Sequence, residues 1–116
     1  MGAVTSVVSK SDQDAIWDLI RNYNGKADSF IHIMQRVKEL NCEAALGEAF
    51  KIWKLSCLYA QTARTNNDLG YAATDIITDF MTEESRIKKL PQGDHKDKLV
   101  NCLYLGTQDK KYLESF

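Results

Sequence analysis

From Ser11 onward, apolar residues recur three and four places apart, and no stretch alternates strictly between apolar and polar. That period belongs to amphipathic helices, so the chain is predicted to be all-α. The most apolar segment, Glu43 to Thr65, reads EAALGEAFKIWKLSCLYAQTART. At about 100° per residue, Ala45, Leu46, Ala49, Phe50, Ile52, Trp53, Cys57, Tyr59, Ala60 and Ala63 cover about half of its surface. Leu55 and Leu58 intrude on the arc that carries Glu43, Lys51 and Lys54, and there they need cover from the C-terminal tail or from another molecule. A helix this apolar packs on more than one side, so the other segments are expected to wrap around it.

The first helix is expected to begin at Ser11, where Ser11 and Asp14 form a capping-box-like start. Ile16, Trp17, Leu19, Ile20 and Tyr23 then share one face, and Gly25 closes the helix as a left-handed cap. A second helix should run from Asp28 as its cap to Leu40. Phe30, Ile33, Met34, Val37 and Leu40 face inward there, Ile31 stands apart beside Lys38, and Asn41 ends the helix. His32 lies on its polar face as a solvated side chain. The central helix follows at once and stops near Asn66-Asn67. Asp68 caps a fourth helix, Leu69 to Leu90, with a stripe of Leu69, Ala73, Ile76, Phe80 and Ile87, and Pro91 stops it. Asp94 caps a fifth, which turns Leu99, Val100, Leu103 and Tyr104 inward and breaks at Gly106-Thr107. The tail TQDKKYLESF forms a last short helix with Tyr112 and Phe116 on one face. The expectation is a single compact bundle of five to six helices over residues 11–116, around the central helix 43–65. A flexible arm, residues 1–10, precedes it.

Composition narrows the classes. The 116 residues suit one domain, and 44% hydrophobic with 27% charged residues is the balance of a globular chain. Fifteen basic against sixteen acidic side chains give a net charge of −1, which argues against a nucleic-acid binder. Cys42, Cys57 and Cys102 are odd in number and widely spaced, and the only histidines are His32 and His95. That set has no zinc spacing, so free thiols in a reducing compartment and no metal are expected. No run of eighteen apolar residues occurs, and the N-terminus does not read as a secretory signal. The expected location is cytoplasmic.

One short motif changes this picture. Residues 1–6 read MGAVTS, which satisfies M-G-x-x-x-[ST], the N-myristoylation pattern, with Gly2 as acceptor and Ser6 as the hydroxyl residue. Acylation needs glycine because the amine must be unhindered once the methionine is removed. A lone myristoyl chain binds membranes only marginally, so a second signal is required. The first thirty residues do not supply one, since Lys10, Arg21 and Lys26 face Asp12, Asp14, Asp18 and Asp28.

The second signal is sought further along. Between residues 86 and 111 stand Arg86, Lys88, Lys89, Lys96, Lys98, Lys110 and Lys111, against Asp94, Asp97 and Asp109 only. Such a run can meet anionic lipid, at about 1 kcal/mol per surface-near Lys or Arg, although a helix C-terminus favours cations in any case. Asp75, Asp79 and Glu83 repeat every four residues and form an acidic face suited to a basic partner. They are not read as a metal site, because the Glu-x-x-His ligands of di-metal bundles are missing. The phosphate-binding and hydrolase motifs are also missing, so the chain is read as non-enzymatic and without a cofactor beyond a possible covalent myristoyl group.

The leading expectation is a helical interaction module, N-myristoylated and peripheral to the cytoplasmic face of a membrane, acting as an adaptor or assembly protein. Its partners would be the membrane surface and another protein or a second copy of itself. In architecture alone such a bundle resembles retroviral matrix domains. Those domains carry their basic cluster near the N-terminus, where this chain is acidic. The alternative is a cytosolic interaction bundle without lipid, similar in size and helix count to death-fold modules. There the acidic face and Arg86, Lys88 and Lys89 would pair between subunits. A third reading is an enzyme or small-ligand carrier with a pocket beside Trp53.

Overall fold

A computed structural model describes residues 8–65 and 70–116. Among these residues the chain is all-helical. Six helices follow one another: α1 (Lys10–Arg21), α2 (Ala27–Leu40), α3 (Glu43–Thr65), α4 (Gly70–Lys88), α5 (Asp94–Thr107) and α6 (Lys111–Ser115). The expected bundle around a central helix is what forms, with α3 touching α2, α4 and α5.

Two serines compete to cap α1, each with an aspartate three places on. Ser9 wins, two residues before the expected start, and its Oγ accepts from the Asp12 N–H at 3.1 Å. Starting there also seats Val8 against the core, and the Gln13 side chain donates back to the Val8 carbonyl at 3.3 Å. Residues 8–10 of the expected arm therefore belong to the bundle. Helix α1 ends at Asn22, earlier than Gly25, which takes φ +83° within the corner to α2. Lys26 occupies the N-cap position of α2, and Asp28 sits in its first turn.

The close of α2 at Asn41 is as expected. Asn41 is left-handed (φ 50°, ψ 45°), its N–H donates to the Lys38 carbonyl, and the Cys42 N–H reaches back to the Val37 carbonyl at 3.3 Å. This pairing is a Schellman motif, and it buries Cys42 against the helix it terminates.

Helix α3 is not straight. Gly47 has φ 77° and ψ −160°, which interrupts the helical path after one turn. The ion pair of Lys54 Nζ with Glu43 Oε2, at 3.1 Å, shows the consequence. A straight helix would separate those Cα atoms by about 16 Å, more than the two side chains span, so Glu43–Leu46 folds back along the rest of α3. Ala45 is consequently exposed, although the unbroken periodicity placed it on the apolar arc.

The core gathers around the unbroken part of α3. Phe50, Trp53 and Cys57 are fully buried, and they meet Ile16 and Ile20 of α1, Ile33 and Val37 of α2, Phe80 and Ile87 of α4, and Leu99 and Leu103 of α5. Tyr59 stacks on Phe80 with ring centroids 4.0 Å apart. Leu55 packs against this core and Leu58 is half-buried, so the pair that needed cover has most of it.

Helix α5 runs through Gly106 instead of breaking there, and ends on left-handed Gln108. The reason is close packing. A Cβ at Gly106 would lie 2.4 Å from Ser56 Cβ and 2.7 Å from the Trp53 carbonyl oxygen. Glycine at this point lets α5 press onto α3, so the residue that reads as a breaker in the sequence works as a helix contact.

Candidate functional site

The seven basic residues of the 86–111 run end up in different surroundings. Arg86, near the end of α4, bonds Glu83 at 2.6 Å one turn back and also Glu48 of α3. These two contacts, Glu83 first, hold its guanidinium even further above the ordinary arginine range. His95 approaches the same Glu48 at 3.7 Å. The acidic residue Glu83, expected to face a partner, is therefore engaged within its own chain, while Asp75 and Asp79 remain exposed on α4.

Lys96 is buried. Only 4% of its surface is exposed, and its Nζ donates to the Lys88 carbonyl at 3.0 Å. It thereby satisfies one of the carbonyls left open at the C-terminus of α4 and joins α4 to α5. Lys98 points elsewhere, with its Nζ 5.4 Å from the Trp17 ring centre of α1. These two residues of α5 lie about 200° apart around the helix, which is why the run does not form one patch.

What remains together is a smaller group at the junction of α4 and α6. Lys88 Nζ sits 5.4 Å from the Phe116 ring centre, and Lys111 Nζ sits 5.1 Å from that of Tyr112. The two rings pack edge to face at 5.0 Å. Tyr112 is buried and donates its hydroxyl to Glu84 Oε2 at 2.6 Å, and Lys111 approaches the same oxygen at 3.8 Å. Burial first, and then the Glu84 contact, push the Tyr112 hydroxyl well above the ordinary tyrosine range. The result is a surface hollow lined by Glu84, Ser85, Lys88, Lys111, Ser115 and Phe116. Lys89 and Lys110 stand exposed on the flanking turns.

Of this hollow the sequence reading named the lysines and missed Ser85, Ser115 and the role of Phe116. The spacing of Ser85 and Lys88, three apart on one helix, is a visible signal. Their meeting with α6 depends on tertiary packing and has no local signature.

Other candidates fall in place as follows. Gly2 and Ser6 lie outside the described residues. The described chain begins at Val8, beside a hollow lined also by Gln13, Asn41, Glu43, Ala44 and Lys51. Trp53 is fully buried, with Tyr23, Phe30 and Phe50 ring centres 5.5 to 5.7 Å away, so aromatic rings fill the space where a carrier would need its cavity. The three cysteines are buried and unpaired with one another. Among the described residues no group of three or more His, Cys, Asp or Glu side chains is placed to hold a metal, and no helix is long and apolar enough to cross a membrane.

An apolar groove lies on α2. Phe30, Ile31, Met34 and Val37 line it together with Lys38 and Glu43, and Ile31 is 51% exposed. Comparison of the chain with protein-family models, curated proteins and solved structures finds no match.

Proposed function

We propose that the chain is a non-enzymatic helical interaction module, N-myristoylated at Gly2, that associates peripherally with the cytoplasmic face of a membrane as an adaptor or assembly protein. The observation that carries this reading is the complete MGAVTS start, six residues ahead of the point where Val8 joins the bundle. Six residues of extended chain reach about 20 Å, enough to project an acyl group away from the surface.

Geometry adds support. Val8 adjoins Glu43 and Ala44 in the first turn of α3 and also Lys51 beyond the Gly47 break, three residues from Glu48, the partner of Arg86 and His95. The cation pair of Lys88 and Lys111 gives the lipid its second, electrostatic signal. Vesicle sedimentation of the acylated chain tests this, with Gly2→Ala as control. On vesicles containing anionic lipid the acylated chain should partition with a constant above the roughly 10⁴ M⁻¹ of a lone myristoyl chain, and Gly2→Ala should stay largely in solution. Equal pelleting of the two would remove the acyl group from the account.

A second reading has one observation in its favour, the groove on α2 with its exposed Ile31. It is the cytosolic interaction bundle, in which this groove receives an apolar segment of a partner protein. Ile31→Asp would weaken partner capture in that case and leave vesicle binding unchanged.

A further inference from the structure

The hollow between α4 and α6 brings two lysines, two serines and an aromatic ring together. Two ammonium groups flank it, each held over an aromatic ring, which limits the conformational freedom they would lose on binding. The one acid in its lining, Glu84, accepts from the Tyr112 hydroxyl at 2.6 Å and lies 3.8 Å from Lys111 Nζ, so a bound phosphate takes Lys111 in competition with it. Ser85 is exposed on the same helical turn as Lys88, with a hydroxyl able to donate. Ser115 closes the other side, its Oγ donating to the Lys111 carbonyl at 3.0 Å. Lys89 and Lys110 extend the positive field on both flanks.

We infer that this hollow is a binding site for a phosphate group, held between Lys88 and Lys111 with the Ser85 hydroxyl as a third donor, and that the group is carried by a phosphorylated lipid headgroup. The chemistry follows from the donors. Ammoniums are point-charge partners for phosphate oxygens and a serine hydroxyl adds a directed bond, while Phe116 offers an apolar wall to the sugar ring or glycerol beside the phosphate. Arg86 and Lys96 take no part, because each is committed elsewhere in the fold, and Lys98 lies away from the hollow, beside Trp17 of α1. The choice of a lipid rests on the acylated membrane reading; the phosphate site itself does not.

The test uses the full chain in two arms, the first with Gly2→Ala so that no acyl group contributes. In the first, backbone amide shifts are followed while soluble inositol trisphosphate, and separately inorganic phosphate, are added. Saturable shifts are expected at Ser85, Lys88, Lys111 and Ser115, and Lys88→Gln or Lys111→Gln should each weaken the affinity about fivefold, with Lys38→Gln on α2 as a control of equal charge change. No shift at these four residues, or an equal loss in the Lys38→Gln control, overturns the site. In the second arm the acylated chain is sedimented with neutral vesicles and with vesicles containing a phosphoinositide. Preference for the phosphoinositide, lost in Lys88→Gln, supports the lipid headgroup as ligand. Shifts in the first arm with no vesicle binding in the second would leave the site standing for a free phosphorylated ligand and overturn the membrane reading.

Discussion

Gly106 shows how much one missing methyl group decides. Ser56, which it faces, is fixed in place by its hydroxyl bond to the Ile52 carbonyl at 2.7 Å, and the Trp53 carbonyl belongs to the helix backbone, so neither can retreat. Gly106→Ala should therefore cost about 1–3 kcal/mol, read as a lower urea midpoint with the slope unchanged. An unchanged midpoint would mean that α5 does not press on α3 as described. Cys102, near it on α5, carries a pH prediction. Burial pushes its thiol from an ordinary 9.0 up to about 12, so the folded state holds the proton more tightly than the unfolded chain. The stabilising contribution is complete below pH 9 and is lost as pH rises toward 12, at a slope of about 1.4 kcal/mol per unit for one proton. Tyr112 adds the same sign from about pH 10 upward, since its hydroxyl is also raised. Stability measured from pH 8 to 12 should fall, and Cys102→Ala should flatten the part between 9 and 10 (about the ordinary thiol and phenol values), where tyrosine has yet to titrate. A slope identical in both proteins would contradict the buried thiol.

At the scale of elements, periodicity identified the helices well because most of them present one clean apolar stripe to α3. Ile16 and Ile20, Ile33 and Val37, and Leu99 and Leu103 were each placed inward by spacing alone and are buried. The failures share one physical origin, which is that local signals are ambiguous until packing chooses among them. Ser9 and Ser11 are chemically equivalent caps, and only the seating of Val8 separates them. Gly47 and Gly106 are both glycines within helical pattern. One breaks the helix with φ 77° and the other permits a close approach, and nothing within a few residues of either says which. Gly47→Ala provides the matching test. No atom lies within 4 Å of a Cβ placed there, so the cost is conformational only. It should amount to about 1–3 kcal/mol, in a position where a straightened α3 would instead gain stability from alanine. Cross-element pairs such as Arg86 with Glu48, or Tyr112 with Glu84, were illegible for a simpler reason: their partners stand 38 and 28 residues apart.

Over the whole molecule, the candidate site is a matter of which charges are left over once the fold has used its own. The seven cations of the 86–111 run looked like one surface in the sequence, because sequence order is the only proximity a single chain displays. The fold spends Lys96 on a helix end and Arg86 on two carboxylates, and turns Lys98 toward Trp17. Lys88 and Lys111 stay together at the α4–α6 hollow, flanked by Lys89 and Lys110. With so few cations remaining, electrostatics at about 1 kcal/mol each cannot hold the protein on a membrane alone, and neither can one myristoyl chain. In the function proposed above the two act together. The proposed membrane association therefore stands on Gly2, and intact mass is the direct measurement: the full chain is made alongside an N-myristoyltransferase and weighed next to Gly2→Ala. The wild-type chain is expected to lose its initiator methionine and gain one myristoyl group, while Gly2→Ala gains none. A wild-type mass without the acyl group would contradict that association.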